Sequence, residues 1–234
     1  MQTFLDSTFL ETPEGREADR ILRSCVHCGF CNATCPTYQL LGDERDGPRG
    51  RIYLIKQMLE NGKATRETQL HLDRCLTCRS CETTCPSGVE YHRLLEIGRT
   101  EVERRVERPV SERIQRAGLL HTVPEPGRMG PLLSLARVMK PFLPSGIAEA
   151  VPADGPKLDT WPAGGHARKV LLLQGCIQSV THPQINAATA RVLDRLGVEA
   201  IPAGGCCGTL AQHLSAGEKA REAVRRNIDA WWPL

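Results

Sequence analysis

Two short cysteine runs constrain this chain more than anything else in it. The first is Cys25-Val26-His27-Cys28-Gly29-Phe30-Cys31-Asn32-Ala33-Thr34-Cys35-Pro36. The second is Cys75-Leu76-Thr77-Cys78-Arg79-Ser80-Cys81-Glu82-Thr83-Thr84-Cys85-Pro86. Both read C-x2-C-x2-C-x3-C-P. Thiolates at steps of three residues let a tight loop wrap one face of a metal cube and ligate three of its corners. The proline after the fourth cysteine turns the chain away, because it can neither continue a helix nor donate a backbone hydrogen bond. A fold holding two such loops has to be built around inorganic groups.

This spacing is the bacterial ferredoxin pattern for a pair of [4Fe–4S] clusters, in which the fourth cysteine of each run ligates the cluster of the other. It predicts two [4Fe–4S] clusters and electron transfer between them. Carried onto these residues, Cys25, Cys28, Cys31 and Cys85 hold one cluster, and Cys75, Cys78, Cys81 and Cys35 hold the second. The exchange staples the runs together. Structural zinc favours C-x2-C pairs well separated in sequence over four cysteines within eleven residues followed by proline. A disulfide framework fits less well still. Met1-Gln2-Thr3-Phe4-Leu5-Asp6 has neither the basic nor the apolar region of a secretory signal, so a reducing cytoplasmic setting is expected, where eleven cysteines argue for metal.

The 234 residues suggest one or two domains. Aromatic content of 4% is low, and a domain short of large aromatic side chains gains from inorganic pins, which couples metal to folding. A net charge of +3 is too small and mixed to argue for nucleic acid. No apolar run reaches membrane-spanning length, so no transmembrane segment is expected, and contact with the inner membrane would be peripheral, through partners.

The expected fold class is α+β: a mostly helical two-cluster ferredoxin domain over 1–143, a linker over 144–166, and a small α/β cysteine-rich domain over 167–234. Short helices are expected at 14–24 and 66–73, each leading into a cysteine run. Pro48 to Glu60 reads as a stronger helix, with proline in its first turn and Asn61-Gly62 closing it. Residues 89–106 read as helical with Leu94, Leu95 and Val102 inward. The stretch 96–116 is dense in arginine and glutamate, and reads as a solvated face laced by i,i+4 pairs or as a docking surface for a redox partner. Four prolines and four glycines between Pro144 and His166 mark the linker. Beyond it, Lys169 to Gln174 reads as a buried strand. A helix follows, opened by a Thr181-His182-Pro183-Gln184 capping box, with Ile185, Ala188, Val192 and Leu196 on its apolar face. Val198 to Pro202 completes a βαβ unit, which implies parallel strands.

Cys176 follows the first strand and Cys206-Cys207 the second. Parallel strands end at one sheet edge, where open α/β folds bind ligands. The three thiols are therefore expected near one another, as a possible-ligand set framed by Gly175, Gly204, Gly205 and Gly208; the plainer reading is of cysteine as a small buried hydrophobe.

Helical dicluster ferredoxin, linker and C…C-C-G at strand ends together resemble the iron–sulfur subunits that carry cysteine-rich CCG domains. That group includes heterodisulfide reductase, anaerobic glycerol-3-phosphate dehydrogenase and lactate-utilisation subunits. Four phrases resemble the glycolate oxidase iron–sulfur subunit most: Cys25 to Pro36 with Thr37-Tyr38, Asp46 to Arg51, Asn186 to Gly197, and Asn227 to Pro233. The resemblance implies an electron-transfer subunit of a flavin-dependent glycolate (2-hydroxy acid) dehydrogenase. It would relay electrons from separate flavoprotein subunits to a respiratory acceptor such as quinone, and would not be catalytic alone. Lactate or glycerol-3-phosphate are the other substrates it allows. A thiol-disulfide reductase working at Cys176, Cys206 and Cys207 is the alternative, and a redox-sensing module a third. Family members continue past Leu234 with further cysteines, so the chain reads as truncated and the third cysteine site as empty or weakly occupied. No G-x-G-x-x-G follows a strand and there is no P-loop, so no nucleotide site is expected.

Overall fold

The computed structural model describes residues Met1–Ala153 and Thr160–Pro233. Packing divides the chain into two compact units, Met1–Pro109 and Val110–Leu234.

The first unit is helical. Its Pro13–Ser24 helix starts where the Thr12 side chain accepts the Gly15 N–H, and it buries Ala18, Ile21 and Leu22. The Pro48–Asn61 helix opens on proline and ends at Gly62, whose φ of 68° is the left-handed conformation that closes a helix without a Cβ penalty. It buries Ile52, Ile55, Met58 and Leu59. Arg66–Asp73 is capped by Thr65, and Tyr91–Arg105 buries Leu94, Leu95 and Val102 as its pattern predicts. A Cβ at Gly98 would lie 2.7 Å from Ile55 Cδ1, so glycine is what lets the last of these helices approach the Pro48–Asn61 helix so closely. Cys25 and Cys81 belong to this same apolar core, and Cys31, Cys75 and Cys85 pack against it. The metal loops are thus part of the core.

The arginine- and glutamate-rich stretch is not simply a solvated face. Arg99, Glu101 and Arg108 are buried. Arg108 forks onto Asp73, with Nη2 2.9 Å from Oδ1, and its Nε is 2.7 Å from Glu103 Oε1. Arg99 donates to the backbone carbonyls of Leu72 and Cys75. A charge run read along a helix cannot reveal that neighbouring elements present acceptors to part of it. The i,i+4 pairing does occur, between Arg105 and Glu101 at 2.9 Å.

In the second unit, β1 (Arg168–Leu173) and β2 (Val198–Ala203) pair in parallel, from Arg168 against Val198 to Leu173 against Ala203. The Pro183–Arg195 helix connects them, and Gly197 (φ 71°) turns the chain into β2. The βαβ unit is as expected; three details differ. Thr181 does not cap the helix. It ends a separate short helix, Gln178–Thr181, and its hydroxyl donates to the Ile177 carbonyl at 3.0 Å, while His182 occupies the N-cap without a side-chain bond. The buried face is Asn186, Ala187 and Ala190, whereas Ile185, Ala188, Val192 and Leu196 are exposed. Asn186 draws its face inward by donating to the Gln174 carbonyl at 3.0 Å, and the two alanines allow close approach to the sheet. Strand β1 is also largely exposed, against the expectation of a buried strand. Helices at Val110–Thr122, Pro126–Met139 and Ser145–Ala150 precede β1, the last lying within the expected linker; residues 154–159 of that linker fall outside the described residues. Thr209–His213 and Gly217–Trp231 complete the unit. Among the described residues, no helix is long and apolar enough to cross a membrane.

Candidate iron–sulfur centres

The two cysteine loops fold alike, residue for residue. Each enters from a helix, and the first cysteine's N–H donates to the carbonyl three residues back, Cys25 to Leu22 at 3.2 Å and Cys75 to Leu72 at 3.3 Å. Each then places the second and fourth residues after that cysteine at positive φ: His27 (60°) and Gly29 (86°), Thr77 (54°) and Arg79 (61°). A one-turn helix follows, Phe30–Ala33 or Ser80–Thr83, and the last cysteine's N–H bonds to Asn32 O or Glu82 O at 3.2 Å. Three of the four positive-φ residues are not glycine. Such conformations cost on the order of 1–3 kcal/mol each and persist where a ligand clamp over-determines them. The loops also meet one another, since the Thr34 hydroxyl lies 3.3 Å from the Ser80 carbonyl and 3.3 Å from the Thr84 hydroxyl.

Two cavities result. One is lined by Cys25, Cys28, Cys31 and Cys85, and the other by Cys35, Cys75, Cys78 and Cys81; Cys81 and Tyr91 reach both. The first cavity thus collects three thiols of the first run with Cys85 and Cys81 of the second, and the second cavity collects three thiols of the second run with Cys35 of the first. Their electrostatics fit an iron–sulfur group. Burial, reinforced by the neighbouring Cys25, pushes the Cys31 thiol up to about 11. Burial and then Cys75 push Cys81 up to about 12, and burial raises Cys25 as well. Thiols this crowded do not ionise together unless a cationic core takes the charge, which is the role of a cluster's irons. Cys78 is held below its ordinary value by the backbone N–H of Ser80.

Behind the second cavity lies a charged scaffold that sequence reasoning did not identify. Arg51 is fully buried. It donates to His71 O at 2.7 Å, to the Thr37 hydroxyl at 3.1 Å and to Asp46 Oδ1 at 3.4 Å. Asp46, also fully buried, accepts from Arg74 at 2.9 Å and faces His71 Nδ1 at 2.9 Å. Asp43, Asp46 and His71 bring potential ligand atoms together, but these arginines already engage Asp46. Arg99 Nη2 gathers the carbonyls of Leu72 at 3.0 Å and Cys75 at 2.8 Å, and Nη1 the Thr77 hydroxyl at 3.3 Å. It thereby fixes the loop that carries Cys75 and Cys78. The only signal in the sequence was the Asp46-Gly47-Pro48-Arg49-Gly50-Arg51 phrase.

In the second unit, β1 and β2 bring their following cysteines to the same sheet edge. The sulfurs of Cys206 and Cys176 are 3.8 Å apart, and burial followed by the repulsion of Cys206 raises Cys176 to about 11. Cys207 is exposed; burial would raise it, but the Thr209 hydroxyl, 3.2 Å away, and backbone N–H groups bring it below the usual thiol value. Gly205 (φ 129°) leaves no room for a Cβ against Asn227, whose Nδ2 donates to Cys206 O at 2.9 Å.

Comparison with known proteins agrees with this division. A family model described as a 4Fe-4S dicluster domain matches residues 21–89, and one described as a cysteine-rich domain matches residues 170–234. The chain thus carries a 4Fe-4S dicluster domain within its first unit and a cysteine-rich domain within its second. It is 57% identical, over its full length, to the glycolate oxidase iron-sulfur subunit of Escherichia coli, covering 58% of that protein. It is 31% identical over 91% of its length to the probable glycolate oxidase iron-sulfur subunit of Bacillus subtilis, covering 54% of it. A heterodisulfide reductase subunit of Methanosarcina acetivorans is also similar, 25% identical over 89% of this chain, with 52% of the relative covered. The chain therefore spans a little over half the length of these relatives. No solved structure matches it.

Proposed function

We propose that the chain is the electron-transfer part of a glycolate (2-hydroxy acid) dehydrogenase, taking electrons singly from a flavoprotein partner and passing them to a respiratory acceptor such as quinone. The observation that carries the reading is the meeting of eight cysteines in two adjoining cavities within one packed core. The glycolate assignment draws on the 57% identical relative. In this reading Cys25, Cys28, Cys31 and Cys85 hold one cluster, while Cys75, Cys78, Cys81 and Cys35 hold the other. Bound clusters supply reversible one-electron storage. The protein's own part is to hold eight thiolates in fixed positions, shield the sites with the apolar core, and keep the sites side by side.

Two experiments test this. Cys35→Ser should perturb the electron paramagnetic resonance signal of the cluster held by the second run, and Cys31→Ser that of the first. If Cys35→Ser alters only the cluster of Cys25, Cys28 and Cys31, each run ligates its own cluster and the exchange is wrong. For the substrate, glycolate added to the chain with its co-purifying flavoprotein should bleach the clusters; bleaching by lactate or glycerol-3-phosphate instead would reassign it.

One observation favours a second reading, a thiol-disulfide reductase. The Cys176 and Cys206 sulfurs lie side by side, and heterodisulfide reductase subunits are among the relatives. Reduction of a disulfide substrate that depends on Cys206, with the dicluster unit intact, would establish it.

A further inference from the structure

We infer that Tyr91 sets the reduction potential of the cluster held through Cys75, by directing its phenolic O–H at that ligand's sulfur. This rests on the reading that Cys35, Cys75, Cys78 and Cys81 share one cluster. Tyr91 opens the Tyr91–Arg105 helix and is 4% exposed. Its hydroxyl lies 3.7 Å from Cys75 Sγ, and no other partner is found for it among the described residues. A buried hydroxyl costs free energy unless it is hydrogen-bonded, so phenylalanine would fill the space more favourably if packing were all that mattered.

The near-identity of the two loops makes the difference informative. Cys25 and Cys75 occupy the same place in their runs, and each sulfur receives the backbone N–H two residues on, from His27 and from Thr77. Cys75 alone of the two has a side-chain hydroxyl added. At the run-to-run offset, the residue matching Tyr91 is Leu41, apolar and 47% exposed. At the sulfur of their first cysteine, two loops with the same backbone thus differ by one buried hydroxyl donor.

Accepting one electron, from a flavin donor or a chemical titrant, adds a negative charge that spreads onto the ligand sulfurs, with no bond made or broken. A donor aimed at such a sulfur stabilises the reduced form more than the oxidised one and raises the potential. The low dielectric around a buried phenol strengthens the effect. Tyr91 is therefore a positioning residue that acts on the potential of the second site at one ligand sulfur, in addition to the buried charges of Arg51 and Arg99 behind it.

The test is an electron paramagnetic resonance redox titration of the full chain with and without Tyr91→Phe. We expect reduction of one cluster to become about tenfold less favourable, a fall of about 59 mV for a one-electron couple, with less than a twofold change in the other. Equal shifts in both clusters, or no shift in either, would overturn the inference. Should the phenylalanine variant lose iron, 3,5-difluorotyrosine placed at position 91 decides the matter. It keeps the ring shape and is a stronger donor, so the potential of the same cluster should rise, and an unchanged potential defeats the inference. Iron and sulfide are counted on every sample. Fewer than two clusters in the unsubstituted chain would remove the underlying reading, and this inference with it.

Discussion

The two units bury different things. The first packs large aliphatic side chains, among them Ile21, Leu22, Ile55, Leu59, Leu94 and Leu95, around helices that also carry its cysteines. The second buries mainly alanine, at positions 187, 190, 200, 203, 211, 220 and 223. Its larger apolar residues, including Ile185, Val192, Leu196, Val224 and Ile228, lie at the surface. Alanine allows helix and sheet to approach closely but removes little apolar area from water, so each contact contributes less. In the first unit, metal ligation and core packing are therefore the same structure. In the second, the cysteines stand at strand ends on a thin layer.

Metal removal should give the largest contrast. Chelating the iron is expected to abolish hydrogen-exchange protection through the Pro13–Ser24, Pro48–Asn61 and Tyr91–Arg105 helices, because eight crowded thiols lose the charge that holds them together. Amides of β1 and β2 should exchange as before. Equal loss in both units would show that the second is also organised by metal, and would erase the contrast between them.

The buried charges come next. Asp46→Ala leaves Arg51 enclosed without its carboxylate, and breaking a buried pair in this way costs about 3–5 kcal/mol. Denaturant unfolding followed by loss of cluster absorbance reads this directly. A loss below about 1 kcal/mol would mean that water reaches Arg51, and that the scaffold behind the second cavity is looser than its geometry indicates.

Truncation of apolar side chains gives a finer measure. Leu94→Ala, in the centre of the first core, should cost about 2–5 kcal/mol. Val192→Ala, on the exposed face of the Pro183–Arg195 helix, should stay within about 0.5 kcal/mol. If Val192→Ala destabilises the second unit by as much as Leu94→Ala does the first, that face is covered in solution and the unit is thicker than its alanine layer.

The loops and helices around the metal sites were legible from sequence because their signals are local. C-x2-C-x2-C-x3-C-P sets the loop, Pro48 and Gly62 bracket a helix, and Leu94, Leu95 and Val102 recur at helical spacing. The order strand, helix, strand likewise determined a parallel pair with its cysteines at one edge. What the tertiary structure alone decided was the destiny of residues whose partners are distant in sequence. Arg51 and Arg99 are charged residues that became interior struts, because carbonyls near Leu72 come within reach only after the helices pack. Ile185, Val192 and Leu196 form a sound helical stripe, yet Asn186 finds an acceptor at Gln174 and turns the opposite side inward. Periodicity states which residues share a face. Which face is buried depends on the partners that the rest of the fold presents to it.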